Sequence, residues 1–258
     1  MNGDADVVSA VSDYTEYSPP LPLARHLICL WTQKILGSRD EFAQRVLPDG
    51  CVDIILNAGP AFLTSDDATP MASGEAYLIG TMTRYKEMVR PPGTQLTGIR
   101  FKPGGFSFFY DHSLLHDTAN RTIEFDRALI PSIDNDNPVT NPSPVLNTFF
   151  FRRLRAPVQP IQPLIADIQR MKGRITVSQL ARQNFITARR LERIFSHHLA
   201  IPPKEFINFT RYQSAIRQIR TRPVNKTFLD IACDCGYYDH AHLANEIKRY
   251  TGSIPSAF

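Results

Sequence analysis

Two stretches of the 258-residue chain gather side chains suited to a polyanionic surface. The first presents Arg189, Arg190, Glu192, Arg193, Ser196 and His197 along one helical stripe, and the second presents His240, His242, Asn245, Lys248 and Arg249. An arginine guanidinium can meet two acceptors on guanine, an asparagine amide can pair with adenine, and lysine or arginine can hold phosphate oxygens. We therefore expect Arg189, Arg193, His242 and Asn245 to contact bases, and Arg190, Lys204, Lys248 and Arg249 to contact phosphates. A helical bundle with solvated charges would show the same apolar spacing, but the charge distribution argues for a nucleic-acid partner. From residue 157 onward there are 15 Lys+Arg against 7 Asp+Glu, whereas residues 1–156 carry 14 against 18. One part suits a polyanion and the other does not.

The elements that must position these residues form an internal repeat. Leu180-Ala181 recurs as Ile231-Ala232 at an offset of 51. Leu191, Phe195, Ala200, Pro203 and Phe206 recur as Leu243, Ile247, Gly252, Pro255 and Phe258 at an offset of 52, so one residue has entered at the turn. Each unit reads as helix, short turn and second helix. Val177, Leu180 and Ala181 share a face in the first unit; Phe228, Ile231, Ala232 and Cys235 share one in the second. Thr187 and Asp239 stand where a second helix needs a side-chain oxygen to cap its free N–H groups. Gly236 supplies a permissive backbone at the turn. Such a unit is a helix-turn-helix, whose second helix can enter the major groove.

With those residues in place, the last hundred residues resemble the DNA-binding domain of AraC/XylS-type transcriptional regulators. The matching segments are T-x-R-R-L-E-R-I-F, I-P-P-K-E-F, D-I-A-C-D-C-G-Y, D-H-A-H-L and the closing I-P-S-A-F. The resemblance implies two units joined by one long helix, here Pro203 to about Arg220, with Phe206, Phe209, Tyr212, Ile216 and Ile219 buried. It also implies reading helices at about 187–199 and 239–250 in successive major grooves of double-stranded DNA. A small-molecule effector, a homodimer and, for an activator, RNA polymerase are the further partners it implies. Three departures stand out: Asn184 for an apolar residue, Ala200 for a glycine, and Asn245 for an arginine that meets bases.

The N-terminal half reads differently. Turn signals at Leu47-Pro48-Asp49-Gly50, Pro91-Pro92-Gly93 and 102–105 separate strands expected at 51–56, 75–81 and 95–101. Residues 1 to about 15 look loose, Ala24, Leu27, Ile28 and Trp31 share an apolar face, and 112–130 reads as a helical excursion. The segments Y-S-P-P-L-P-L-A, L-P-D-G-C-V-D-I-I-L-N and G-I-R-F-K-P-G-G-F resemble a poorly characterised, cupin-like sensory domain in one branch of the same family. The expected fold class is thus α+β in two domains, a mainly-β barrel or sandwich followed by an all-α double helix-turn-helix domain. Boundaries fall at 1–155, a proline-stiffened linker at 156–163, and 164–258. A barrel interior would be the ligand pocket, with Asp49, Asp53, Arg84, Arg100 and Phe101 as lining candidates.

Other chemistries fare worse. His112 and His116 have i, i+4 spacing, but no carboxylate or third ligand is placed to complete a cupin metal site, so a surface pair is the expectation. Cys51 reads as a buried strand residue and Cys235 as core, while Cys233 and Cys235 point to different sides of a helix. No catalytic residue, metal or cofactor is expected. A cupin-like enzyme or small-molecule binder tethered to DNA is the alternative. No apolar run is long enough for a membrane span, and scattered cysteines suit a reducing bacterial cytoplasm. Residues 130–144 read as an exposed loop. On the helix expected at 145–155, Leu146, Phe149, Phe150 and Leu154 are candidates for pairing two subunits.

Overall fold

Short runs of β-branched and aromatic residues between proline and glycine turns build an antiparallel sheet in the computed structural model, which describes residues 11–36, 42–64, 69–133, 141–156, 161–223 and 226–258. Six strands lie in the order β1 (Val11–Tyr17), β2 (Leu27–Leu36), β9 (Gln95–Phe101), β4 (Val52–Asn57), β7 (Ala76–Ile79) and β10 (Thr122–Phe125). Two further pairs, β3 (Phe42–Val46) with β8 (Lys86–Arg90) and β5 (Phe62–Leu63) with β6 (Pro70–Met71), stand apart from that sheet. The sheet is open, not the closed barrel that was one of the expected forms. Its outer strands β1 and β10 are not paired with each other among the described residues.

Strand alternation assigns each side chain to one of two faces. Val52, Ile54 and Leu56 enter one core with Ile99, Phe101 and Phe150. Ile55 faces the other way, beside Trp31, Tyr77 and Leu96. Trp31 lies flat across β9 because its partner position is Gly98, where a Cβ would come within 1.9 Å of the indole. Residues 11–15, within the stretch expected to be loose, belong to an edge strand, β1, that runs along β2. The shared apolar face expected for Leu27, Ile28 and Trp31 is also corrected. A register shift between Leu27 and Cys29 sends Leu27 and Trp31 into different cores and leaves Ile28 exposed. The segment 112–130 is a 3-10 turn (His112–Leu115), β10 and a second 3-10 turn (Arg127–Leu129), not a helix. Thr122 and Phe125, the buried ends of this four-residue strand, lie three residues apart and so show no alternation that sequence could reveal.

Helix α1 (Ser143–Arg153) closes the sheet's far face. Leu146 and Phe150 are fully buried there, with Phe149 and Leu154 packed on the same core. The four residues considered for subunit pairing therefore cover their own sheet. The helix spends its apolar stripe internally, so the dimer surface expected on them is corrected.

After α2 (Gln162–Arg170) come α3 (Val177–Gln183), α4 (Ala188–Leu199), α5 (Pro203–Arg220), α6 (Phe228–Cys235) and α7 (His240–Thr251) around a separate core that begins at Ile161. Phe206, Phe209, Tyr212, Ile216 and Ile219 form the buried stripe of α5. The linker expected at 156–163 ends inside α2, whose first turn contains Pro163; residues 157–160 lie outside the described set, as do 134–140 of the expected loop. No helix among the described residues is long and apolar enough to cross a membrane.

Candidate nucleic-acid interface

Both helix pairs are set by local chemistry that repeats. Thr176 and Thr227 each cap their helix in a reciprocal capping box, with Gln179 and Asp230 as the returning partners. Thr187 accepts from the Arg190 N–H at 3.1 Å, and Asp239 from the His242 N–H at 2.7 Å, so the two outward helices start at the expected residues. The turns match bond for bond. In the first, the Ile186 N–H donates to Ala181 and the Phe185 N–H to Arg182; in the second, Tyr237 donates to Ala232 and Gly236 to Cys233. Both are Schellman turns with a left-handed residue at the same place, Phe185 at φ 55° and Gly236 at φ 75°. The inserted residue is then Tyr238. It is 90% exposed, and Phe185 is 96% exposed. Sequence reading passed over both aromatics; a phenylalanine standing where the repeat has glycine was the available signal.

Asn184, in place of the usual apolar residue, closes α3 onto α2. Its amide donates to Asp167 at 2.9 Å and to the Leu180 carbonyl at 3.0 Å. Arg189, Arg190, Lys204, His242, Asn245 and Lys248 are exposed, and the first two lie on α4's solvent side. Arg249 is already engaged. Its Nη2 donates to Glu205 at 2.6 Å, and the Tyr250 hydroxyl donates to the same oxygen at 2.9 Å. That knot fastens α7 to α5.

Arg193 lies on the rim of a cleft of about 490 Å³ between the two halves, together with His197, His198, His112 and Arg155. The His112 ring stacks on His197 at 4.8 Å, and Ser107 Oγ sits 2.7 Å from His198 Nδ1. Burial, with His112, Arg193 and His116 close by, holds the His197 pKa below its ordinary value. His116 meets Asp117 at 2.9 Å instead of joining a ligand set. At the second unit, Arg45 donates to the Thr251 carbonyl at 3.3 Å and to Ser253 at 3.1 Å. The sheet thus grips the end of each outward helix.

A second cavity, of about 550 Å³, lies between the sheet and the β3–β8 ribbon. Asp49, Asp53 and Arg100 line it. Arg84 is exposed and outside its wall, and Phe101 sits in the opposite core, because neighbouring residues of a strand face opposite sides. Arg100 Nε donates to Asp53 at 3.0 Å and lies 3.7 Å from Asp49. Burial pushes the Asp53 carboxyl up to about 6, against the pull of Arg100 and of the Trp31 N–H at 3.2 Å. Burial also pushes the Cys51 thiol up, so it is no ready nucleophile.

A family model described as a helix-turn-helix domain matches residues 180–258. Residues 180–258 thus carry a helix-turn-helix domain of the type that marks AraC-family transcription regulators. The chain is a DNA-binding transcription regulator, and regulators of this family are generally not enzymes. Residues 15–124 match a domain of unknown function, DUF6597. No curated protein sequence matches the chain. Among solved structures, a probable AraC family transcriptional regulator from Rhodopseudomonas palustris is 22% identical over 38% of this chain and 91% of its own, with a TM-score of 0.35. ToxT from Vibrio cholerae is 9% identical over 96% and 97%, with a TM-score of 0.48. The DNA-binding domain of AdpA, a global transcriptional factor solved in complex with a target DNA, is 21% identical over 38% and 88%, with a TM-score of 0.34. Identities and scores this low carry none of the assignment, which rests on the helix-turn-helix match and the duplicated geometry.

Proposed function

We propose that this regulator is sequence-specific and effector-responsive, laying α4 and α7 in successive major grooves. Arg189, Arg193, His242 and Asn245 take the base contacts; Arg190, Lys204 and Lys248 take phosphates, and Arg249 joins them once Glu205 releases it. The observation that carries the reading is the duplicated capped turn, which aims two basic helix faces outward from either end of α5. That helix has 18 residues and so spans about 27 Å, comparable to one turn of DNA.

The working division is a sensing part at 1–155, a linker at 156–163 and a DNA-binding part at 164–258. It is supported by apolar cores that separate between Leu154 and Ile161. In this reading the clasp around His197, His198 and Arg45 is the regulated contact. An effector acts only by binding one arrangement of the two parts more tightly than the other. The regulator works in the cytoplasm, without catalysis; as a homodimer it would pair through a surface other than α1's buried stripe, and as an activator it would also meet RNA polymerase.

The deciding experiment is binding of the purified chain to the region upstream of its own gene, with random DNA as competitor, at two salt concentrations. A preference of about a thousandfold or more is expected for a defined site. Equal, steeply salt-dependent binding to both would leave phosphate contacts alone and sink the specific reading. Arg193→Ala should cost about 1–3 kcal/mol at the cognate site and relax discrimination there, whereas Lys248→Ala should weaken all sequences alike.

A further inference from the structure

The cavity beneath the β3–β8 ribbon contains a charge that the protein does not neutralise. Along β8, Lys86, Met88 and Arg90 alternate inward, and all three line the cavity. Arg90 is only 4% exposed. Its Nη1 donates to Gln44 at 2.9 Å, and its Nε has no partner. Among the described residues no carboxylate pairs with it, and burial alone draws its pKa down to about 10. Two other basic groups on the same cavity are satisfied: Arg100 by Asp53 and Asp49, and Arg45 by Glu87 at 2.6 Å. Lys86 is itself engaged by its surroundings.

A buried guanidinium without a counter-ion is costly, and its planar fork fits a carboxylate with two parallel hydrogen bonds. Trp31, Tyr14, Phe42, Ile55, Ile79 and Met88 give the wall a broad aromatic and aliphatic face, beside polar Ser12, Gln33, Gln44 and Thr122 and the paired Asp49, Asp53 and Arg100. A free inorganic anion would leave that surface uncovered, and a purely apolar molecule would leave Arg90 unpaired. The volume, about 550 Å³, is that of a small organic ligand's site. We propose that this cavity binds a small organic acid with an aromatic or aliphatic body, its carboxylate held by Arg90. The proposal deepens the effector-responsive reading and rests on it.

Trp31 is the chain's single tryptophan and lines the cavity, so its emission reports occupancy. The full-length protein would be titrated with phenylacetate, 4-phenylbutyrate and octanoate, each against its neutral amide. The acids should change Trp31 emission saturably, with Kd of about 1 mM or lower, and bind at least about tenfold tighter than the amides. Arg90→Gln should abolish that preference while melting no lower than the parent, because it removes an unpaired buried charge. Ile79→Phe, which narrows the cavity without touching a charge, should weaken acids and amides together. Acids and amides binding alike, no response to any acid, or the same response to sodium phosphate would each overturn the proposal. So would an Arg90→Gln protein that fails to fold, since Arg90 would then be structural. Binding to the upstream DNA, measured on the same samples, separates this outcome from failure of the regulator reading.

Discussion

Phe185 holds a left-handed backbone with nothing covering its ring, while the equivalent position of the second unit is Gly236. A β-carbon in that conformation costs on the order of 1 kcal/mol, and an exposed ring recovers none of it by burial. Phe185→Gly should therefore raise stability by about 1 kcal/mol in thermal or urea unfolding. Ala200, left-handed at φ 57° where the repeat has Gly252, predicts the same gain for Ala200→Gly. A loss in either variant would show that the side chain is held by a contact. Asp53 gives a pH prediction. Its folded pKa, about 6, lies above the ordinary value of 3.8. The resulting stabilisation is complete below the ordinary value and is lost as pH rises through about 6. Relative to the parent, Asp53→Asn should thus gain stability between pH 4 and 7, by up to about 3 kcal/mol. A pH-independent difference would show that the carboxyl titrates alike folded and unfolded.

Each element was legible in proportion to its periodicity. The helices of the repeat show i, i+3, i+4 spacing and side-chain caps, and α4 and α7 begin directly after Thr187 and Asp239. The strands β1, β3 and β8 carry polar and apolar residues in both phases, so alternation had little to report until the ribbon was seen to roof a cavity. Element packing also has a testable joint. Glu205 holds Arg249 and Tyr250, and Tyr250 stacks on Tyr212 at 4.5 Å. Glu205→Ala leaves the hydroxyl of buried Tyr250 unpaired and should cost about 1–3 kcal/mol in unfolding. With the angle between α5 and α7 loosened, affinity for the preferred DNA should fall more than affinity for random DNA. Equal losses on both would assign Glu205 to stability alone.

At the scale of the molecule, the sheet touches both outward helices. His112 on His197 and Ser107 at His198 hold the first, and Arg45 holds the second while lining the cavity beneath the β3–β8 ribbon. These contacts favour the arrangement in which Arg193 faces the cleft. Under the regulation proposed above, breaking them removes a differential interaction that competes with DNA. Ser107→Ala combined with His112→Ala, or Arg45→Ala alone, should raise affinity for the upstream site about three- to tenfold, with the salt dependence unchanged. Unchanged or lower affinity in a binding titration would mean that the clasp does not restrain the reading helices.

Sequence alone determined the repeat, its capped turns, the basic outward faces and the type of the helix-turn-helix domain, because all of these are local patterns written in spacing and residue type. The tertiary structure decided what depends on residues far apart in the chain. It left the sheet open, turned the apolar stripe of α1 inward and sent Phe101 to the face opposite Arg100. Likewise it tied Arg249 to Glu205, 44 residues away, and set Arg90 on a cavity with aromatic walls from β1, β2 and β3. Those outcomes follow from which faces meet when sheet and helices pack, a property that no single segment carries.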